Sequence, residues 1–258
     1  MRWTIYLDES GIHDASPILV MGGAAATGSQ WQIFDRQWGA VLEREQLPYI
    51  HYVDMVGRRK IYRKYSTPEV VRIRAELASI ALSTIPLTVS ALLRPDDYHS
   101  IYTIDETRRL HRNSPLGILF RATASFLPSY IVDAGLDDQP LIDFVYEAGA
   151  KNAGDIAQLY EVLKTETRPE WGERLGTLTF VEKGGARGLD LADGVSFSSL
   201  RQERDEHGTS PTLIEFSSHT MPEDASPLAH GTVPFRLPIS RRILIDLKDN
   251  LLLACGQR

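Results

Sequence analysis

Three stretches far apart in the chain carry carboxylates placed where they could meet. The first is Asp8, at the end of the alternating segment Trp3-Thr4-Ile5-Tyr6-Leu7-Asp8, with Glu9 pointing to the other side. The second is Glu147, which shares one face of a strand-like segment with Asp143 and Val145. The third is Asp190 and Asp193, three residues apart and therefore neighbours on one helical face. Oxygen ligands of this kind suit hard divalent cations such as Mg²⁺ or Mn²⁺. Asp8, Glu9, Glu147, Asp190 and Asp193 are the candidate metal ligands. Each has a plainer reading. Asp8 is also a turn former at a strand end, and Asp190 a charge favoured by a helix N-terminus. Asp193 sits among apolar neighbours in Leu189-Asp190-Leu191-Ala192-Asp193-Gly194-Val195. There a carboxylate needs either a cation or an Arg or Lys partner.

The elements that must position these residues read as a mixed α/β fold. The two-residue period over 3–8 predicts a strand, and Ser10-Gly11 ends it. A second apolar segment over 17–26 follows a short polar connection, which predicts an antiparallel hairpin. Gly22-Gly23 inside it marks a bulge or a close backbone approach. Trp31, Phe34, Trp38, Val41 and Leu42 predict a helix from about Ser29, its expected cap, to Glu45. His51-Tyr52-Val53-Asp54 is expected in a basic loop. Thr67-Pro68-Glu69 opens a second helix, and Pro86 to Leu93 is a third strand. After a polar stretch from Arg94 to Asn113, Ser114-Pro115 opens a helix to about Val132 whose apolar residues wrap round it, as in a buried helix. Strands over 141–147 and 177–181, helices over 154–165 and 189–202, and a flexible loop at Gly184-Gly185-Ala186-Arg187-Gly188 complete the core. The composition changes near Glu203. Residues 1–203 are expected to form the α/β domain, and 204–258 a C-terminal extension packed on that core or on a partner. Ile243, Leu244, Ile245 and Leu251 to Leu253 make the extension a candidate surface for a homo-oligomer or another protein.

Bulk properties narrow the functional classes. At 258 residues the chain can bury a substantial core. No apolar run approaches the ~18–20 residues that cross a bilayer, so no membrane association is expected. The acidic pair Asp8-Glu9 interrupts the N-terminus before a signal-peptide core could form. Cys255 is the only cysteine, which excludes an intramolecular disulfide and a Cys-based zinc site. A cytoplasmic protein is the expectation. The net charge of -6 gives no general attraction for nucleic acid. Arg58-Arg59-Lys60 and Arg63-Lys64 are either a local positive surface or a solvated face.

Beyond these readings, Ile5-Tyr6-Leu7-Asp8-Glu9-Ser10-Gly11, followed by Ile18-Leu19-Val20-Met21-Gly22-Gly23, resembles the opening of the domain-of-unknown-function 3800 family, found in bacteria. Leu189-Asp190-Leu191-Ala192-Asp193-Gly194-Val195 resembles that family's late L-Q-L-A-D-x-V helix. Glu147 with Ala148-Gly149-Ala150-Lys151 is similar to its middle strand, and His51 with Asp54 to an H-x-x-D patch after its first helix. The resemblance spans about residues 3 to 202. It implies a ribonuclease H-like sheet opened by an antiparallel hairpin, with Asp8 on the first strand, Asp193 on a late helix and Glu147 as the intermediate acid. Position 190 departs from the family, which more often has a neutral amide there.

The expected chemistry follows from that resemblance. A divalent-metal-dependent nuclease would hydrolyse phosphodiester bonds through two ions ~3.5–4 Å apart. Asp8 would bridge both ions, while Glu147 and Asp193 would hold one each. His51 would assist proton transfer, and Lys151, Lys183 and Arg187 would contact the phosphates of a nucleic acid. The competing expectation is a non-catalytic interaction protein of a bacterial defence or mobile-element system on the same fold. Several other chemistries lack their motifs. The 184–188 loop has no Lys-Ser/Thr ending of a phosphate-binding loop, and Ser10 lacks a nucleophile-elbow context. His13 beside Asp14 is too weak a pairing to read as catalytic.

Overall fold

Trp3, Ile5 and Leu7 turn one face of the first strand to a core, and the chain doubles back to cover its edge. In the computed structural model, β1 (Arg2–Ser10) pairs antiparallel with β2 (Leu19–Thr27), placing Asp8 opposite Gly22. The structure describes residues 1–12, 16–102, 114–149, 153–166, 172–206, 233–240, 242 and 244–245. β2 pairs antiparallel with β3 (Leu87–Leu93). β1 pairs parallel with β4 (Leu141–Glu147), and β4 with β5 (Leu175–Val181). On the far edge β3 pairs parallel with β6 (Val233–Ile239), giving a six-stranded mixed sheet in the order β5-β4-β1-β2-β3-β6.

Among the described residues the α-helices are α1 (Gly28–Glu45), α2 (Tyr52–Val56), α3 (Thr67–Thr84), α4 (Pro95–Ile101), α5 (Pro115–Asp133), α6 (Ala153–Glu166) and α7 (Arg187–Glu206), with a short 3-10 helix at Lys60–Lys64. Trp3, Ile5 and Leu7 join Ile142, Phe144 and Tyr146 in one core, filled by Phe120 and Leu127 of α5 and Leu159 and Tyr160 of α6. Ala24 and Ala26 face the other core with Phe34, Trp38, Ile73, Leu77, Leu191 and Val195, from α1, α3 and α7. Helices on both sides explain why all of β3 and nearly all of β2 is buried, whereas β4 alternates. Among the described residues α5 is the one helix long and apolar enough to cross a membrane. Most of it is buried within the protein, so its apolar surface is already used.

Local differences from the sequence expectations have identifiable causes. Thr27 rather than Ser29 caps α1, because Gln30 reaches back to the Thr27 amide at 2.9 Å and closes a capping box. Ser66 and Glu69 do the same for α3, with Pro68 in its first turn. His51 caps the short helix α2, so His51-Tyr52-Val53-Asp54 is not a loop. The expected polar stretch before α5 contains α4, and its residues 103–113 lie outside the described residues. Gly184-Gly185 makes a closed turn, with the Gly185 amide donating to the Glu182 carbonyl at 2.8 Å, and α7 starts at Arg187. Within the 204–258 stretch, β6 lies in the sheet and Leu244 is buried in the β1–β4 core. Residues 207–232 and 246–258, like His13 and Asp14, lie outside the described residues.

Candidate active site

Small residues decide how close α7 comes to the sheet. A Cβ on Gly22 would lie 2.3 Å from the Ser196 nitrogen, so only glycine lets the helix backbone rest on β2. A Cβ on Gly188 would meet the Tyr6 ring at 2.3 Å, and one on Gly194 the Tyr52 ring at 2.5 Å. The Gly22-Gly23 pair therefore marks close approach, and the β1–β2 register runs through it without a bulge. Ser10 and Ser196 hydroxyls meet at 3.2 Å beside this contact. The consequence is positional: α7 lies across the ends of β1 and β2 with Asp193 next to Asp8.

Asp8, Asp193 and Glu147 form one electrostatic group. Asp8 of β1 and Glu147, the last residue of β4, each lie one residue beyond the Leu7–Tyr146 pair of these adjacent parallel strands. Asp8 and Asp193 are 9% and 7% exposed, burial that strongly disfavours two charges without compensation. Burial pushes the Asp8 carboxyl well above its ordinary range, and the charges of Asp193, Glu9 and Glu147 push it further. Burial raises Asp193 as well. The Tyr52 amide, which donates to its Oδ2 at 2.6 Å, and the nearby His51 and Lys183 pull it back. Lys183, in the turn after β5, sets its Nζ 3.4 Å from Glu147 Oε2. Burial works against its charge, but Glu147, Asp193 and Asp8 outweigh burial and raise its pKa. Among the described residues no three of these side chains converge into a ready-made ligand set for one ion. They repel one another around a shared space.

His51 borders that space with a fixed orientation. Its Nδ1 lies 2.7 Å from Asp54 Oδ2, and Lys60 Nζ approaches the same oxygen at 2.8 Å. Asp54 is 6% exposed, and these two partners hold its carboxyl below the usual range despite burial. The His51 amide donates to the Tyr62 hydroxyl at 2.9 Å, and that hydroxyl donates to the Tyr49 carbonyl at 3.0 Å. With Nδ1 bonded to Asp54, the Nε2 nitrogen is left for chemistry. The imidazole lies near enough to Asp193 to stabilise its charge.

The remaining sequence candidates are distributed differently. Glu9 turns to the opposite face of the sheet, where the Tyr146 hydroxyl donates to it. Asp190 is 4% exposed and accepts from the Trp38 indole at 3.2 Å and from the Ile50 amide. Burial raises its pKa to about 7, and through these two donors it ties α1 and the 47–51 segment to α7. Arg187 packs against Gly39 of α1 and lines, with Asp35, Arg36 and Asp190, a groove of about 950 Å³. Lys151 lies outside the described residues. In the sequence Asp54 stands out only as His51's companion and Lys60 only as part of a basic stretch, while Tyr52 and Tyr146 carry no signal of their own. The glycines Gly188 and Gly194 within one helical stretch were a readable sign of close packing. No family model matches the chain, and no curated protein is detectably similar to it.

Proposed function

We propose that the protein is a divalent-metal-dependent nuclease, hydrolysing phosphodiester bonds of nucleic acid at the Asp8–Glu147–Asp193 cluster. The observation that carries this reading is that Asp8 of β1 feels the charges of Glu147 of β4 and Asp193 of α7, with Asp8 and Asp193 buried and Lys183 beside Glu147. A structural role would be served better by neutral side chains, since mutual repulsion and burial both oppose the charges. The strand order β5-β4-β1-β2-β3, with β1, β2 and β3 antiparallel and β4 and β5 parallel to β1, supports the ribonuclease H-like reading. So does the resemblance of the β1 and α7 segments to the domain-of-unknown-function 3800 family.

The residues present fit Mg²⁺ or Mn²⁺. All three donors are hard carboxylate oxygens, and a cation would supply the positive charge that the cluster lacks. Asp8, Glu147 and Asp193 would hold it, and it would supply Lewis-acid activation of water and of the phosphoryl oxygen. The chain's own contributions are more specific. The Tyr52 amide fixes the Asp193 carboxylate in one orientation, leaving the other oxygen for a ligand. Lys183 can leave Glu147 for a phosphate oxygen of the substrate, since it is held there at only 3.4 Å. Asp54 orients His51 so that Nε2 can take up or deliver a proton at the edge of the cluster. Glu9 and Asp190, each committed to donors of the protein, position the strand and the helix instead.

The test is a thermal melt of the wild type and Asp8→Asn with increasing Mn²⁺ or Mg²⁺, followed by cleavage of labelled single- and double-stranded oligonucleotides. The wild type should gain melting temperature with metal, because only the folded state binds it, and Asp8→Asn should not. Cleavage should fall by at least about a hundredfold in Asp8→Asn, in line with losing a group that stabilises transition-state charge. Metal-dependent cleavage that survives Asp8→Asn would sink the assignment.

A further inference from the structure

The turn that follows α2 is basic, exposed and held in a strained shape. Arg58 and Lys60 have left-handed backbones, with φ of 49° and 50°. Glycine or asparagine would occupy such positions at less cost, because a larger side chain crowds the backbone there. The chain instead places two long cations on them, with Arg59 between and Arg63 and Lys64 just beyond. All five are exposed. Lys60 pairs with Asp54, and Lys64 reaches the Glu45 carbonyl at 3.1 Å. Among the described residues the side chains of Arg58, Arg59 and Arg63 make no hydrogen bond or ion pair. The acids around the turn are already taken. Asp54 holds His51 and Lys60, Glu45 holds Arg44 and Arg72, and Glu69 holds the Ser66 amide and hydroxyl. Three guanidiniums thus stand exposed, each with the forked N–H donors that match phosphate oxygens.

Hydrogen bonds fix this turn beside the acid cluster. At the start of α2 the Tyr52 amide binds Asp193 at 2.6 Å. At its end the Arg58 amide donates to the Met55 carbonyl at 3.1 Å, and the Arg59 amide to the Asp54 carbonyl at 2.7 Å. Lys60 closes on the Asp54 carboxylate, and the Tyr62 hydroxyl joins the His51 amide to the Tyr49 carbonyl. With five residues, α2 is about 7.5 Å long, so the turn begins roughly two phosphate spacings from the Asp193 contact, at ~3.4 Å each along one strand of a duplex. The chain as a whole carries a charge of -6, so any attraction for a polyanion is local to this turn. Phosphate neutralisation by Arg and Lys dominates nucleic-acid affinity and carries no sequence information. We propose that Arg58, Arg59 and Arg63 form a phosphate-contact surface that holds a nucleic-acid strand beside the acid cluster without regard to sequence. That the strand runs on to Asp8 and Asp193 rests on the nuclease reading; binding at the turn does not.

The experiment uses the full chain in EDTA, so that binding is read without cleavage. A fluorescent single-stranded oligonucleotide is titrated by anisotropy from about 50 to 200 mM salt. The proteins are the wild type, Arg58→Gly and the double variant Arg59→Ala with Arg63→Ala. The wild type should bind, and the double variant should bind at least about tenfold more weakly at low salt. Its plot of log affinity against log salt should be shallower by about 1.4, for two contacts at ~0.7 each. Oligonucleotides of unrelated sequence should behave alike. No binding by the wild type, or an unchanged salt slope in the double variant, overturns the surface. Arg58→Gly separates binding from a structural role. It should weaken binding yet raise the melting temperature by a few degrees, because glycine relieves the left-handed backbone. A lower melting temperature would show that this arginine serves the fold, and would overturn the reading of its strain as functional. The path of the strand is read with Asp8→Asn, which in EDTA should bind the oligonucleotide more tightly, since one carboxylate fewer repels its phosphates. Unchanged affinity there overturns the continuation of the strand to the cluster. The binding results are metal-free, so the nuclease reading can fail in its own cleavage assay while the surface stands.

Discussion

Strands β1 and β4 carry acids at both ends of one shared face, and the two ends are treated in opposite ways. Near the start of the strands, Asp143 takes the Arg2 guanidinium at 2.5 and 3.1 Å and accepts from the Thr177 amide at 2.8 Å and its hydroxyl at 2.9 Å. Those partners outweigh burial and hold the Asp143 carboxyl below its usual range. At the other end burial drives the Asp8 carboxyl up, and the charges of Asp193 and Glu147 push it further. The same residue types in the same sheet thus serve stability where each acid has its donors, and hold charge in reserve where acids face one another. What separates them is the partner that arrives: β5 brings a threonine to Asp143, and α7 brings an aspartate to Asp8.

The contrast should appear as opposite dependence of stability on pH. The largest effect belongs to the α7 end. Asp190 is raised to about 7, so between its ordinary value and neutrality the folded state binds a proton that the unfolded state releases. Its contribution is therefore present in acid and is lost as pH rises from about 4 to about 7, up to roughly 4 kcal/mol for one group. In urea titrations with EDTA, Asp190→Asn should flatten this part of the wild-type profile. An unchanged slope in the variant would show that Asp190 is already ionised with its donors.

Next in size is the cluster itself. In EDTA at neutral pH, Asp8→Asn should stabilise the protein by about 1–3 kcal/mol, since it removes one of the mutually repelling charges. Divalent metal should reverse the order, raising the wild type and leaving the variant behind. A metal-free loss of stability in Asp8→Asn would mean that the carboxylate is satisfied, and the two strand ends would then be alike.

The sequence revealed these two ends unequally. The period of β1, the hairpin, the starts of α3 and α5 and the acids of 190–193 are legible, because each depends on residues within a few positions, although Ser66 rather than Thr67 caps α3. Placement of Asp8, Glu147 and Asp193 together was legible only through resemblance, since it depends on α7 crossing β1 and β2 on glycines far away in the chain. Glu9 and Asp190 look like ligands in one dimension and are taken by Tyr146, Trp38 and the Ile50 amide in three. Arg74 was invisible for the same reason. At its position in α3 it reads as one more surface charge, yet the fold leaves it 6% exposed.

The smallest effect is expected where partners are complete, and its sign is the useful part. Asp143→Asn keeps the shape of the side chain but loses the charge that attracts Arg2, and it turns one amide nitrogen toward a donor. Arg2 is exposed, so its ion pair adds little. The Thr177 amide and hydroxyl are the substantial partners, and losing good geometry to them should cost about 1–2 kcal/mol at neutral pH. Because the folded-state pKa of Asp143 is lowered, its contribution is present above the unfolded value and disappears as pH falls below about 4. Both variants should therefore meet the wild type in acid, but with rising pH Asp143→Asn should fall below it, whereas Asp190→Asn should rise above it. If the two variants instead diverged from wild type in the same direction, pairing would not be what distinguishes the two ends, and the charge crowding around Asp8 would lose its meaning as a sign of function.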